Sequence, residues 1–253
     1  MLSKNQIKFI KSLSLKKYRD ESGCFLAEGN KLVADLLPYF DCELILFESS
    51  WLAVQGDIKT SQWIKADSGE IERVSLLKNP QQVLAVFRQP RYELDFSSLS
   101  RKLSLVLDNI QDPGNLGTII RIADWFGIEN IICSHETADV YNPKTIQATM
   151  GALARVRVYY TDLTVFLAQN KTLPVYGTFL DGEDIYTENL APEGLIVMGN
   201  EGNGISEKIE PFVSKRLYIP NYPSDRPTSE SLNVAVATAI ACAEFRRRQV
   251  YSC

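Results

Sequence analysis

Two kinds of hydrophobic pattern alternate along the 253 residues: short apolar runs bounded by turn residues, and stretches whose apolar positions recur every three or four residues. The first kind predicts strands and the second helices. In the first hundred residues the pattern predicts a helix over 5–19, a strand at CFLAEG (24–29), a helix at NKLVADLLPYF (30–40) and a strand at ELILFE (43–48). A short helix near SSWLAV, a strand at SQWIKA (61–66), a helix over 69–77 and a strand at VLAVFRQ (83–89) complete a small α/β unit. RQPRYELDFSSLSRK (88–102) breaks the pattern with Pro90 and a serine cluster and reads as a linker.

The pattern restarts with longer runs. KLSLVLDNI (102–110) is almost continuously apolar, as expected of a strand covered on both faces. Helices are predicted at GNLGTIIRIADWFG (114–127) and NPKTIQATMGALAR (142–155), around a strand at IENIICS. VRVYYT, LPVYGTF and GLIVMGN follow as strands with helices between them, and KRLYIP (215–220) is the last strand. The last helix, SESLNVAVATAIACAEFRRR (229–248), is packed with alanine and stops at three arginines. Such alternation predicts an α/β fold with a mainly parallel sheet and helices on both faces. The chain divides into a unit over 1–100 and a second over 101–253.

Composition changes this picture mainly by exclusion. Five cysteines (24, 42, 133, 242, 253) form no CxxC pair and His135 is the single histidine, which disfavours zinc and disulfide frameworks and points to a reducing cytoplasm. One histidine also leaves little room for Ser-His or Cys-His nucleophilic catalysis. No run is long enough to span a bilayer, and MLSKNQIKFIKSL lacks the apolar core of a secretory signal. The net charge is −4, yet residues 1–100 balance 13 basic against 13 acidic side chains while 101–253 carry 14 against 18. Lys4, Lys8, Lys11, Lys16, Lys17 and Arg19 all precede the first acid, Asp20, with Ile7, Ile10 and Leu15 interleaved. This predicts an amphipathic helix whose basic face is either a solvated surface or a phosphate contact, with Lys8, Lys11, Lys16 and Lys17 as the candidates for that contact.

Candidate chemistry lies in three glycine-rich stretches that follow strands: LDNIQDPGNLGTIIRIADWFGI (107–128), VMGNEGNGIS (197–206) and IPNYPSDRPTSESLNV (219–234). Ligands of open α/β sheets sit beyond the carboxyl ends of strands, so the three loops are expected to converge on one pocket. None spells the dinucleotide GxGxxG, and no GxxxxGK[ST] phosphate loop occurs. A nicotinamide-dependent enzyme is disfavoured accordingly.

Taken in order, DPGNLGTIIRIADWFG, VMGNEGNGIS and IP…SESLNVAVATAIACAEFRR resemble the three motifs of the SpoU-type (TrmH-like) RNA ribose 2′-O-methyltransferases of the SPOUT class. FLAEGNKLVADLL resembles the small ribosomal-protein-like RNA-binding domain often fused in front of them. The resemblance implies a trefoil knot that cradles S-adenosylmethionine, no metal, and a homodimer formed through the knotted domains. It implies Asn115, Arg121, Glu201, Ser231 and Asn233 as active-site residues, with Arg121 also on the RNA. Thr178, Phe179, Leu180, Gly199, Asn200, Gly204, Ile219, Pro220 and Leu232 are implied around the cofactor, so that valine at Gly199 is expected to block the pocket and leave the fold intact. The plain alternative for Glu201 is an acid at a helix N-terminus. Asn221 stands where the family commonly has methionine, and the stretch from Ile219 to Ser231, with Pro223 and Pro227, is longer than usual. Ribosomal RNA is the favoured substrate, with transfer RNA, or an inactive relative that only grips RNA, as the alternatives.

Overall fold

The structure, a computed structural model, describes residues 2–53, 58–223, 229 and 231–250, with the backbone alone at Ser97 and Ser98. Pro227 and Cys253, named above, lie outside the described residues. In chain order the helices are α1 (Lys4–Ser12), α2 (Lys16–Ser22), α3 (Asn30–Leu36), α4 (Ser49–Leu52), α5 (Ser68–Val74), α6 (Phe96–Leu99), α7 (Pro113–Trp125), α8 (Pro143–Thr149), α9 (Leu163–Gln169) and α10 (Val234–Val250). The strands are β1 (Cys24–Glu28), β2 (Cys42–Phe47), β3 (Trp63–Lys65), β4 (Val83–Arg88), β5 (Leu103–Leu107), β6 (Asn130–Cys133), β7 (Arg157–Tyr160), β8 (Val175–Asp184), β9 (Gly194–Met198) and β10 (Lys215–Tyr218).

The chain forms two compact units: Met1–Arg91 with Asp139–Ala154, and Tyr92–Ala138 with Arg155–Cys253. In the first, a four-stranded sheet of order β1-β4-β2-β3 is antiparallel except for the β2–β3 pair. Its core holds Ile10, Leu13, Leu26, Leu46, Ile71 and Val74. The single helix expected over 5–19 is two. Ser3 and Gln6 form a capping box that starts α1, the chain turns at Leu13, and Leu15 is extended before α2. Leu13 is fully buried at this corner, so burial overrides the continuous periodic pattern.

A single cut near residue 100 does not describe these units, because the segment 139–154 joins the first. Tyr141 stacks on Phe25 at 5.0 Å, and Gln147 Nε2 donates to the Glu28 carbonyl at 2.7 Å. Asp139 Oδ2 accepts from Arg19 Nη2 at 2.6 Å, and Arg19 Nη1 donates to the carbonyls of Leu13 and Ser14. Arg19, counted above with the basic face, is therefore 2% exposed and structural.

The second unit carries six parallel strands in the order β10-β8-β9-β5-β6-β7. From β5 the chain steps outward to β6 and β7, then returns to place β8 and β9 on the other side. The crevice at such a reversal is where open sheets bind ligands. No helix separates β8 from β9, contrary to the alternating pattern. Parallel neighbours need about a dozen connecting residues, and these are found because β8 pairs with β9 through Val175, Tyr176 and Gly177 alone. Residues 178–193 make the return. Against β10 the β8 register jumps from Arg216↔Gly177 to Leu217↔Glu183, so residues 178–182 bulge from the ladder.

Helix α10 packs on α7. Small residues are buried on both helices, Gly117 and Ala123 on α7 and Ala235, Thr238, Ala241 and Cys242 on α10. At its far end Arg246 donates to the carbonyls of Phe126 at 2.7 Å and Gly127 at 3.1 Å, satisfying groups that α7 leaves open at its C-terminus. Among the described residues no helix is long and apolar enough to cross a membrane.

Candidate active site

The carboxyl ends of β8, β9 and β10 and the start of α10 enclose a cavity of about 390 Å³. That is within the size range of small-molecule sites. Thr178, Phe179 and Leu180 come from the β8 bulge, Met198 from the end of β9 and Gly199 to Ile205 from the loop after it, Leu217 and Tyr218 from β10 with Ile219 just beyond, Ser231 and Leu232 from the approach to α10, and Val234 and Ala237 from its first turn.

The loop after β9 is closed on itself. Asn200 and Gly204 exchange backbone hydrogen bonds of 2.9 Å, and Gly204 has φ +70°. Asn200 Oδ1 accepts from the N–H groups of Gly202 and Asn203, while its Nδ2 donates to the Asn109 carbonyl at 2.8 Å. Asn109 has φ +61°, a left-handed conformation that asparagine tolerates better than most residues. A Cβ on Gly199 would lie 2.1 Å from the Gly204 carbonyl carbon and 2.2 Å from the Ile205 nitrogen. Valine at Gly199 would therefore break this loop rather than fill the pocket, which corrects the expectation of an intact fold. Glu201 sits within the loop and not at a helix N-terminus, so the plain alternative for it falls.

Three expected residues meet in one hydrogen-bond chain. Asn233 Nδ2 donates to Asn115 Oδ1 at 3.0 Å, and Asn115 Nδ2 donates to Glu201 Oε1 at 2.9 Å. Asn233 Oδ1 in turn accepts from the N–H groups of Ala235 and Val236 and caps α10. Asn115 stands in the first turn of α7, after Pro113 and the capping Asp112. Asp108, buried at the end of β5, accepts from the Ser206 N–H at 2.8 Å and ties the first glycine-rich stretch to the second. Nothing in the sequence marks Asp108 or Asn109 for these roles; the positive φ and the burial that reveal them exist only in the folded chain.

Other expected residues stand elsewhere. Pro220 does not line the cavity. Arg121 is exposed on α7, lines no part of the cavity, and makes no hydrogen bond or ion pair with a described residue. His135 is exposed beyond β6. Asn221 accepts from the Tyr218 hydroxyl at 2.7 Å and so pins the chain as it leaves β10. Lys8, Lys11, Lys16 and Lys17 are exposed in the first unit but split between α1 and α2, and the last two form i,i+4 pairs with Asp20 and Glu21. Among the described residues no group of three or more His, Cys, Asp or Glu could hold a metal ion.

The lining suits a ligand that combines a flat apolar group with positive charge. Phe179, Leu180, Ile205, Ile219 and Leu232 give apolar walls, Glu201 and Glu210 add carboxylates, and Gly199, Gly202 and Gly204 line the cavity without side chains. Comparison with known proteins agrees. The model of the SpoU rRNA Methylase family matches residues 102–243, and that of the MRM3-like substrate binding domain matches 4–85. The 23S rRNA (guanosine(2553)-2'-O)-methyltransferase RlmP of Bacillus subtilis is 34% identical, over 96% of this chain and 97% of its own length. A solved structure of a TrmH-family protein from Porphyromonas gingivalis superposes with a TM-score of 0.90 at 40% identity, covering 98% of this chain and 99% of that one. The AdoMet-bound rRNA methyltransferase of Sinorhizobium meliloti reaches 0.82 at 29% identity, over 99% and 97%.

The two roles of Asn233 separate by substitution. Asn233→Ala removes both the cap and the bond to Asn115, and thermal unfolding is expected to report a loss of about 1 kcal/mol for the cap. Asn233→Asp keeps the acceptor for the helix N–H groups and loses the donor, so most of that stability should remain while catalysis falls as it does for Asn233→Ala. Parental turnover in the aspartate variant would mean that the bond to Asn115 is dispensable.

Proposed function

The chain belongs to the SpoU rRNA methylase family, and from that membership we propose that it transfers a methyl group from S-adenosylmethionine to a ribose 2′-hydroxyl of ribosomal RNA. The hydrogen-bond chain from Asn233 through Asn115 to Glu201, which itself lines a cavity of apolar side chains, carboxylates and three glycines, is the observation that carries this reading. When bound, the cofactor supplies an electrophilic methyl on a positively charged sulfur. Gly199, Asn200, Gly204, Ile219 and Leu232 would hold it, with Thr178, Phe179 and Leu180 against its side.

The residues of this chain do the rest. A ribose hydroxyl is a weak nucleophile and must lose its proton as it attacks. Arg121 stays protonated in any protein environment, so its part is to grip the RNA phosphate and to stabilise the developing oxyanion. Glu201 carries a carboxylate in the cavity wall, oriented by Asn115, and accepts the proton. Asn115 and Asn233 keep that carboxylate and the entry of α10 in one arrangement, and Ser231 adds a hydroxyl to the same wall.

Arg121 reaches such a site when two copies pack through their methyltransferase units, each lending its arginine to the other. Support comes from the apolar surface that α7 and α10 leave open, with Trp125 84% and Val236 49% exposed. The first unit would capture the RNA and the second hold the cofactor. The cytoplasm is the compartment that fits: Cys24, Cys42, Cys133 and Cys242 are free and buried, and burial pushes the Cys242 thiol up to about 12.

Labelled S-adenosylmethionine incubated with ribosomal and transfer RNA tests the proposal directly. The expected product is a 2′-O-methylated nucleotide in ribosomal RNA; label confined to transfer RNA would move the substrate, and absence of transfer to either would leave an RNA-binding relative. Neutralising Lys8, Lys11, Lys16 and Lys17 together should weaken RNA binding and lower the salt slope by about 0.7 to 0.9 for each phosphate no longer neutralised, with cofactor affinity unchanged. Lys8 and Lys11 should account for most of it, since Lys16 and Lys17 already face acids. An unaltered slope would reduce these lysines to a solvated surface.

Arg121→Ala is expected to abolish methylation while cofactor binding and dimerisation persist, because only phosphate and transition-state contacts are removed. Arg121→Lys should fail as well, lacking the planar fork. Sedimentation and single-turnover methylation check the two halves. A fully active monomer, or near-parental turnover in the alanine variant, would sink the shared site.

A further inference from the structure

The wall of the cofactor cavity formed by residues 178–182 is a bulge, not a stretch of regular sheet. Five residues of β8 stand opposite a single peptide step of β10, and three of them line the cavity. Such a loop needs something to hold it. At its start, a Cβ on Gly177 would lie 2.6 Å from Cε2 of Phe179, so the ring occupies the space that a side chain at 177 would take. At its end, a Cβ on Gly182 would lie 2.6 Å from the Leu217 carbonyl carbon, so the chain rejoins β10 by close backbone approach.

Between these two points one guanidinium makes every described polar contact to the bulge's acid and ring. Arg216, on β10, stands with its guanidinium carbon 3.6 Å from the centroid of the Phe179 ring. Its Nη2 donates to Asp181 Oδ1 at 2.6 Å, within the bulge, and its Nη1 donates to Glu210 Oε2 at 3.1 Å, on the neighbouring cavity wall. The hydrogen bond from Arg216 holds the Asp181 carboxyl below its ordinary range. The Asp181 side chain is 74% exposed and that of Arg216 38%, a setting in which ion pairs add little to folding stability. What the arrangement does provide is orientation. A planar cation can stack on a ring and fork to two carboxylates at once, which an ammonium cannot.

We propose that Arg216 is a positioning residue of the cofactor site, which fixes the 178–182 bulge and, through Phe179, the wall against which S-adenosylmethionine binds. This rests on the assignment of the cavity to S-adenosylmethionine. Arg216 does not line the cavity itself; it acts through Phe179, Asp181 and Glu210. Its removal frees the ring and leaves two carboxylates beside the cavity without their cation.

Calorimetric titration of the full-length protein with S-adenosylmethionine and with S-adenosylhomocysteine, alongside methylation kinetics, tests the assignment. Arg216→Ala should raise the Kd and KM for S-adenosylmethionine about tenfold, the scale of removing a cation–π interaction together with its ion pairs. The kcat at saturating cofactor and the KM for RNA should stay within about twofold, a split that general loosening of the fold would not produce. Arg216→Lys should restore only part of the affinity. Phe179→Leu should show a similar rise, and the double variant Arg216→Ala/Phe179→Leu little more than either alone, because both remove one support. Unchanged affinity and KM in Arg216→Ala would overturn the proposal, as would full additivity in the double variant. Should Arg216→Ala fold poorly, Asp181→Asn decides at an exposed position: a smaller rise in KM supports the assignment and a parental value overturns it. A parent protein that binds neither ligand would instead remove the reading of the cavity, and the role of Arg216 with it.

Discussion

The site depends on a hydrogen-bond chain that can run in one direction only. A carboxylate at Glu201 accepts and cannot donate, and the backbone N–H groups of Ala235 and Val236 donate and cannot accept. Between these ends the amides of Asn115 and Asn233 each have a single orientation that satisfies both neighbours. Residues 86 and 118 positions apart in sequence are thereby held in register. Three glycine-rich stretches that are individually ordinary turns become one site because each contributes one member of this chain.

The alanine-rich character of α10 follows from the same requirement. Asn233 reaches Asn115 at the start of α7, and Arg246 reaches the carbonyls of Phe126 and Gly127 at its end, so the two helices run in the same direction. Parallel helices align their dipoles unfavourably, and the cation at the α7 C-terminus offsets part of that. For both ends to be tied at once the seam must be narrow, and both helices bury small residues, Gly117 and Ala123 on α7 and Ala235 and Ala241 on α10. Bulk in the middle of the seam would lengthen the hydrogen bonds at its ends.

Much of this is legible in the sequence, for identifiable reasons. The strands of the parallel sheet are continuous apolar runs, and burial on both faces leaves that signature whatever the topology. The convergence of the three loops is readable from their places after strands. What escapes such reading depends on contacts made at long range. The break between α1 and α2 comes from the burial of Leu13, and the charge of Arg19 is absorbed by Asp139, 120 residues away. The membership of 139–154 in the first unit rests on Tyr141 and Gln147, whose partners no local pattern announces. Gly177 falls within a run that reads as plain strand, and neither the side chains that crowd it nor the close approach of Gly182 to the Leu217 backbone is announced locally. Gly199 lines the cavity as expected, but what excludes a side chain there is the loop's own backbone.

Charge governs how RNA is met. Residues 101–253 carry 14 basic and 18 acidic side chains, so no broad positive field draws a polyanion to the methyltransferase half. Most of its arginines are committed to the fold: Arg155 to Asp124, Arg216 to the bulge, Arg246 to α7, and Arg247 with Arg248 to the buried Glu244. Fields of exposed charges fade over about 8 Å at physiological salt, which makes local placement outweigh the net sum. Arg121 is exposed, uncommitted among the described residues, and carried on the helix whose first turn is wired into the site.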